Sequence, residues 1–256
     1  MQSTGQLSRH ALHRMQASWS TAMRQGTPPP SWVKPVVYIS IPWAISIHTV
    51  TAFIYQGLAA RPYWMTAILA PRFLASAFAS GPALLILICL VLRRLTRFDA
   101  GEKAIQKLAT IVTYAVIVNV FFVLMELFTA LYSGIPEHVA HFQYLFLGLD
   151  GHAELVPWMW AGQVLALAAL AVLLRPAVRQ HTGWLAAACV AVVVSVWIEK
   201  GLGMIVTGFV PSPLGHVTRY VPTAPEVLIA LGVYGIGALV ITILYKTALS
   251  VRGEVA

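Results

Sequence analysis

The sequence predicts an all-α protein, a polytopic transmembrane helix bundle of about six spans, from three observations. Of the 256 residues, 59% are hydrophobic and only 10% are charged, whereas a soluble domain is roughly half apolar and a quarter charged. Apolar runs recur at about 20 residues, the length that a helix needs to cross a hydrocarbon core of about 30 Å. Runs such as Ala83 to Leu92 lack the polar and apolar alternation of membrane β-barrel strands.

The predicted elements follow one another along nearly the whole chain. The six candidate spans are residues 34–56, 66–92, 108–132, 155–174, 184–209 and 226–246. A basic loop joins the second span to the third. Residues 133–154 contain no Lys or Arg and are rich in His and aromatic residues, which favours a short helix at the membrane surface. Residues 210–225 contain four prolines and predict an extended cap over the bundle.

The positions of the basic residues predict the orientation. If the N-terminus is cytoplasmic, the inner segments hold 13 of the 17 basic residues and the outer loops hold only Arg61 and Arg219. The inner ones are Arg9, Arg14, Arg24, Lys34, Arg93, Arg94, Arg97, Lys103, Lys107, Arg175, Arg179, Lys246 and Arg252. This bias follows the positive-inside rule and predicts both termini in the cytoplasm of a multi-pass protein of the cell inner membrane. The net charge of +8 therefore reports topology, and no nucleic-acid partner is expected.

Three regions are expected from the composition. Residues 1–33 form a basic cytoplasmic lead with no apolar signal segment, expected to be poorly ordered. Residues 34–250 form the transmembrane domain in contact with the lipid bilayer, and residues 251–256 form a cytoplasmic tail. Cys89 and Cys189 stand alone in apolar runs, which indicates packing residues rather than a disulfide or an iron–sulfur cluster.

Ionisable residues inside the spans are the candidate functional groups, because a charge in hydrocarbon is costly. They are His48, Arg72, Glu126, Glu199 and Lys200. Counting about 1.5 Å per residue along each helix places all five in the outer half of the membrane. Arg72 with Glu126, or Lys200 with Glu126, would make sensible pairs. The group is interpreted either as structural salt bridges between helices or as a polar pocket that binds a quinone, with His48 or Glu126 accepting protons.

Metal-based alternatives have weaker patterns. Membrane haem usually needs two histidines on facing helices, and only His48 lies deep in a span, so neither haem nor an iron–sulfur cluster is expected. A zinc site from three loop histidines and Asp150 remains an alternative, but its spacing is loose and no metal ligand is assigned. The three histidines are His138, His141 and His152.

Several long strings resemble a known family. They include PPPSWVKPVVYISIPWAISIHTVTAFIYQGL, RFDAGEKAIQKLATIVTYAVIVNVFFVLMELFTALYSGIPEH and WIEKGLGMIVTGFVPSPLGHVTRYVPTAPE. Over about residues 28–250 the chain resembles the NrfD or polysulfide reductase membrane subunits, and within them it is most similar to the DsrP type of the DsrMKJOP complex. Members of that family usually carry further spans before the segment that begins here at Pro28. The resemblance therefore implies that other helices build part of the pocket.

The resemblance implies a subunit of a menaquinol-linked oxidoreductase complex rather than an enzyme alone. Such a subunit exchanges electrons between menaquinone, its bound substrate, and a periplasmic ferredoxin-like iron–sulfur subunit in sulfur-compound metabolism, beside other membrane and cytochrome subunits. His48, Arg72 and Glu126 lie in the strings most like the family, and the Glu199 and Lys200 pair carries a weaker expectation. The alternatives are a subunit that translocates protons or ions and a purely structural membrane anchor.

Overall fold

The computed structural model describes residues 31–96, 99–219 and 221–252. Almost all of the basic lead expected for residues 1–33, and most of the tail expected for residues 251–256, lie outside the described residues. Within the described part the chain is helical, and its β-structure is limited to one isolated bridge between Leu149 and His152. The all-α fold class is therefore as predicted.

Nine α-helices follow in order through the described ranges. They are α1 (Val33–Gln56), α2 (Leu69–Leu95), α3 (Glu102–Ser133), α4 (Pro136–Phe146), α5 (Val156–Leu173), α6 (Pro176–Arg179), α7 (Thr182–Trp197), α8 (Ile205–Phe209) and α9 (Ala224–Arg252). A 3₁₀ turn, Pro62–Trp64, lies between α1 and α2, and a π-helical segment, Ile198–Met204, joins α7 to α8.

Six helical segments are long and apolar enough to cross a membrane, so the predicted number of spans is confirmed. They are Val33–Gln56, Leu69–Leu95, Glu102–Ser133, Val156–Leu173, Thr182–Phe209 and Ala224–Thr247. The predicted bounds differ by a few residues at the polar ends. Helix α3 begins at Glu102 rather than at residue 108, because a polar first turn extends it into the basic loop. Helix α2 begins at Leu69 rather than at residue 66, because the 3₁₀ turn comes first.

The chain divides into two compact units. The first comprises Met1–Trp43 with Val221–Ala256, and its described part holds the beginning of α1 and all of α9. The second comprises Ala44–Tyr220. Within this second unit α2 packs against α3 and α7, and α5 packs against α7. All five ionisable candidates belong to the second unit.

Small side chains bring the helices of the second unit together. Ala79 and Ala83 of α2, Ala109 of α3, Ala169 of α5 and Ala188 of α7 are all buried in one apolar cluster. In lipid, such residues allow helix backbones to approach closely. These small side chains therefore mark the surfaces where α2, α3, α5 and α7 meet.

A second cluster closes the end of this unit where α1, α3 and α8 finish. Its largest buried side chains are Trp64 and Tyr144. The Trp64 indole Nε1 donates a hydrogen bond to the Met204 carbonyl at 2.9 Å. The short helix predicted in the loop after the third span is present as α4, and its buried face includes His141 and Phe142. The loop is therefore part of the packed end of the bundle.

The proline-rich segment after α8 has no regular secondary structure over its described residues 210–219 and 221–223. Helix α9 then begins at Ala224, so that Pro225 lies in its first turn, where a missing N–H costs nothing. The Glu226 carboxylate accepts hydrogen bonds from the Thr223 amide and hydroxyl at 2.6 and 2.9 Å, which stabilises that helix start.

Candidate functional site: a buried ion network between two cavities

Four of the five candidates form one buried network of ion pairs. The Arg72 guanidinium pairs through Nη1 with Glu126 Oε2 and through Nη2 with Glu199 Oε1, the latter at 2.7 Å. The Lys200 ammonium lies 3.0 Å from the same Glu199 oxygen. Arg72, Glu126 and Glu199 are only 3%, 8% and 6% exposed. The predicted pair of Arg72 with Glu126 is present, whereas Lys200 pairs with Glu199 rather than with Glu126.

The helix ends bring these residues to one level. Arg72 lies in the first turn of α2, and Glu126 lies two turns before the end of α3 at Ser133. Because α2 and α3 are antiparallel neighbours, the start of one meets the end of the other. The four members of the network therefore lie at one level along the helices, and their position in the outer half of the membrane stays a prediction.

The π-helical segment places the other two members. Glu199 and Lys200 are consecutive, yet Glu199 faces Arg72 while Lys200 lies on a cavity wall. A π-helical turn carries more residues per turn than an α-helix, and such turns are frequent at functional sites. Nothing in the hydropathy of the span indicated this change of helix type.

Asn119 is a member that the sequence analysis missed. Its Nδ2 donates a hydrogen bond to Glu199 Oε2 at 3.1 Å, so both carboxylate oxygens of Glu199 have partners. Among the described residues, Asn119 Oδ1 and Arg72 Nε are buried without a hydrogen-bond partner. In the sequence, Asn119 is marked only as a single amide in an apolar span, which is a weak indication of a functional residue.

The larger cavity, of about 640 Å³, lies on the Lys200 side of the network. Its walls include His48, Tyr55, Phe73, Ser76, Gly81 and Lys200. The Lys200 ammonium lies 5.6 Å from the centre of the Phe73 ring, as in a cation–π contact. His48 stands outside the ion network, on the wall of this cavity. The cavity opens widely to the surface, and its volume falls in the range of roughly 300–1,000 Å³ that is usual for small-molecule sites.

The smaller cavity, of about 270 Å³, lies on the Glu126 side. Its walls include Tyr63, Thr66, Glu126, Thr129, His138 and Phe142. The two cavities share no lining residue. One member of the network lines each cavity, Lys200 the larger one and Glu126 the smaller one.

Burial favours the neutral forms of two groups at the smaller cavity, Tyr63 and His141. It raises the pKa of the Tyr63 phenol, which the nearby Arg72 charge partly offsets. It lowers the pKa of His141 to about 4, against the opposing effect of the Val210 and Thr207 carbonyls. The rings of Tyr63 and His141 lie 5.6 Å apart.

The zinc alternative gains no support from the geometry. Among the described residues, no three His, Cys, Asp or Glu side chains lie together as metal ligands. His138 lines the smaller cavity and His141 is buried beside it, whereas His152 lies 3.4 Å from the Glu154 carboxylate. Glu154 also pairs with Arg219 at 3.5 Å. The pKa of Glu154 is lowered mainly by a hydrogen bond from its own backbone N–H, and the contacts with His152 and Arg219 lower it further.

Comparison with known proteins identifies the family. The family model described as "Polysulphide reductase, NrfD" matches residues 8–210. The chain belongs to the NrfD family. This match begins within the basic lead, about 20 residues before the expected start at residue 28, and ends before the expected limit at residue 250.

Two curated proteins also match this NrfD protein. It is 25% identical over 226 residues to a putative dimethyl sulfoxide reductase membrane subunit of Halobacterium salinarum, covering 79% of this chain and 50% of that protein. It is 24% identical over 117 residues to a selenate reductase subunit of Mesobacillus selenatarsenatis, covering 46% of this chain and 27% of that protein. The chain thus spans half or less of the length of these relatives. Family membership and six apolar helices make it a multi-pass integral membrane protein.

Proposed function

We propose that this NrfD protein is the membrane subunit of a quinone-linked electron-transfer complex and that the larger cavity holds the quinone head group. The observation that carries the proposal is an aromatic cavity next to a buried ion network, with His48 and Lys200 on its wall. By its resemblance, the quinone is menaquinone, the electron partner is a periplasmic ferredoxin-like iron–sulfur subunit, and the complex serves sulfur-compound metabolism.

The chemistry of the cavity matches the needs of a quinone head group. Such a group is a flat apolar ring with two carbonyl oxygens that accept hydrogen bonds. Tyr55 and Phe73 supply aromatic walls, and their own rings meet edge to face with centres 6.0 Å apart. Lys200 supplies a donor whose charge Glu199 balances, and His48 supplies a second polar group. A mostly apolar cavity with a few placed polar groups is the usual form of such a site.

Proton exchange is the second requirement. Oxidation of a quinol releases two electrons and two protons, so a base must lie beside the reacting oxygens. An imidazole or an ammonium paired with a carboxylate can exchange protons there, and both kinds of group line the larger cavity. The electrons would leave for the iron–sulfur subunit at the end of the bundle that contains α4. The charge bias predicts that this end faces away from the cytoplasm.

Filling the larger cavity tests the proposal. Gly81 lies on its wall, and a Cβ at this position would meet no atom within 4 Å, so Gly81→Phe adds bulk without a backbone clash. We expect the purified wild-type chain to bind menadione, seen as quenching of tryptophan fluorescence in detergent, and Gly81→Phe to weaken binding at least tenfold, about 1.4 kcal/mol.

Gly183→Phe is the matched control. Gly183 is likewise free of neighbours within 4 Å, but it lies near the start of α7, about 25 Å along the span from Lys200 at 1.5 Å per residue. This variant should bind menadione like the wild type. A wild-type chain that binds no quinone, or equal affinity in Gly81→Phe and wild type, would contradict the proposal and favour a structural anchor.

A further inference from the structure

The smaller cavity is lined by three polar side chains that can bind or exchange a proton. Glu126 presents a carboxylate to it from α3, Tyr63 lines it from the 3₁₀ turn, and His138 completes the wall from α4. Arg72, on α2, pairs with Glu126 but does not itself line this cavity. The Glu126 side chain is more than nine-tenths buried, so this cavity is the place where it can meet water.

The network is balanced in charge. Its two carboxylates, Glu126 and Glu199, face two cations, Arg72 and Lys200. The cost of an uncompensated buried charge is several kcal/mol. If Lys200 loses its proton to a ligand in the larger cavity, the network is left with one excess negative charge. A proton taken up by one of the carboxylates would restore the balance.

Glu126 is better placed than Glu199 to take up that proton. Both oxygens of Glu199 are held, one by Arg72 and Lys200 and the other by Asn119. Glu199 lines neither cavity, whereas Glu126 lines the smaller one together with His138. Arg72 cannot carry a proton from one cavity to the other, because a guanidinium stays protonated. A proton lost by Lys200 at the larger cavity and a proton gained by Glu126 at the smaller one are therefore linked by the charge balance of the network and not by proton transfer through Arg72.

We propose that the smaller cavity is a proton-exchange site, where Glu126 binds and releases a proton through His138 in step with the redox state of a quinone in the larger cavity. This inference rests on the proposed function. Reduction adds two electrons and two protons to the quinone. Lys200 Nζ gives one proton, and His48 passes on the other from solvent. Glu126 takes one proton from water in the smaller cavity to replace the charge that Lys200 lost.

Oxidation reverses these transfers. Lys200 recovers a proton from the quinol, and Glu126 releases its proton into the smaller cavity, while the two electrons leave to the iron–sulfur partner. One of the two protons thus leaves by the smaller cavity and the other by the larger one. The total of two protons and two electrons is conserved.

Infrared difference spectroscopy tests this inference on the chain itself. Menadione bound to the purified chain is reduced at an electrode, and the spectrum is recorded before and after reduction. We expect a protonated-carboxyl band to appear with the quinol bands and to shift in D₂O. Glu126→Gln should lose this band, Glu126→Asp should retain a shifted band, and Glu154→Gln, which changes an exposed carboxylate outside the network, should retain the wild-type band.

The outcomes separate the two proposals. Quinone bands without a carboxyl band in the wild type, or a carboxyl band that persists in Glu126→Gln, would overturn the role of Glu126 and leave the quinone site standing. A chain with no quinone bands would overturn both. His138→Gln should slow the appearance of the carboxyl band after a reduction step, and an unchanged rate would remove His138 from the route.

Discussion

Arg72 is the residue on which the arrangement of buried charge depends. It contacts both carboxylates of the network and is only 3% exposed. A guanidinium offers several donors in a fixed planar fork and stays charged, so it can bridge two acids from different helices. A lysine at this position would present a single point charge and could not match both contacts.

Replacing Arg72 should destabilise the chain strongly. Arg72→Met leaves Glu126 without its counter-ion in a buried position, and breaking a buried ion pair in this way costs about 3–5 kcal/mol. The measurement is the thermal unfolding midpoint in detergent at pH 8 and pH 5. The difference in midpoint between Arg72→Met and the wild type should be smaller at pH 5, because protonation neutralises the unpaired Glu126 carboxylate.

Arg94→Met provides the comparison, since Arg94 lies exposed in the last turn of α2. Its free energy of unfolding should stay within about 0.5 kcal/mol of the wild-type value, as is usual for surface substitutions, so its unfolding midpoint should hardly change. Equal stability of Arg72→Met and Arg94→Met would mean that the network contributes nothing to folding.

At the level of elements, the π-helical segment depends on the packing of Trp64. The indole of Trp64 donates to the Met204 carbonyl, the last residue of that segment, and its ring lies against Gly208 of α8. A Cβ at position 208 would fall within the Trp64 ring. The 3₁₀ turn, the π-helix that contains Glu199 and Lys200, and α8 are thus joined at one contact.

Gly208→Ala should therefore destabilise the chain, although an alanine in a helix normally stabilises it by up to about 1 kcal/mol relative to glycine. Trp64 must move to accommodate the methyl group, and overpacking of this kind typically costs about 1–3 kcal/mol. Unfolding midpoints of Gly208→Ala and of Gly183→Ala, where the added Cβ meets open space, measure the two effects. The first should fall and the second should rise or stay constant. A rise in both would contradict the proposed packing.

For the whole molecule, the charge bias predicts the orientation of the spans. Thirteen basic residues fall on the predicted inner side against two on the outer side, and such a bias sets orientation in multi-pass proteins. The loop end of the second unit, which contains α4 and the ion network, should then face away from the cytoplasm. The iron–sulfur subunit proposed above would then contact this side.

Cysteine labelling measures this orientation. In a Cys89→Ala and Cys189→Ala background, Leu147→Cys introduces an exposed thiol between α4 and α5, and Gln180→Cys introduces one between α6 and α7. An impermeant maleimide added to intact spheroplasts should label Leu147→Cys, and Gln180→Cys should react only after lysis. The opposite pattern would reverse the predicted topology and place the network near the cytoplasm.

Much of the candidate site followed from single positions in the sequence. Arg72, Glu126, Glu199 and Lys200 could be identified because each is an ionisable residue in an apolar span, and helix rise alone predicted that they lie at a similar level. Asn119 and Tyr63 could not be identified in this way, because an amide or a phenol in such a chain is not costly enough to stand out. Their relevance comes from what they touch.

The sequence by itself determined the class of protein, the number of spans and the similar level of the four network residues, because hydropathy and helix rise are properties of one segment at a time. Only the tertiary structure decided which groups pair. Arg72 and Glu199 are 127 positions apart in the chain, and their contact depends on how α2 packs against α7. The packing also turned Lys200 and Glu126 toward different cavities, because side-chain direction depends on neighbouring helices and on a π-helical turn that no local pattern indicated.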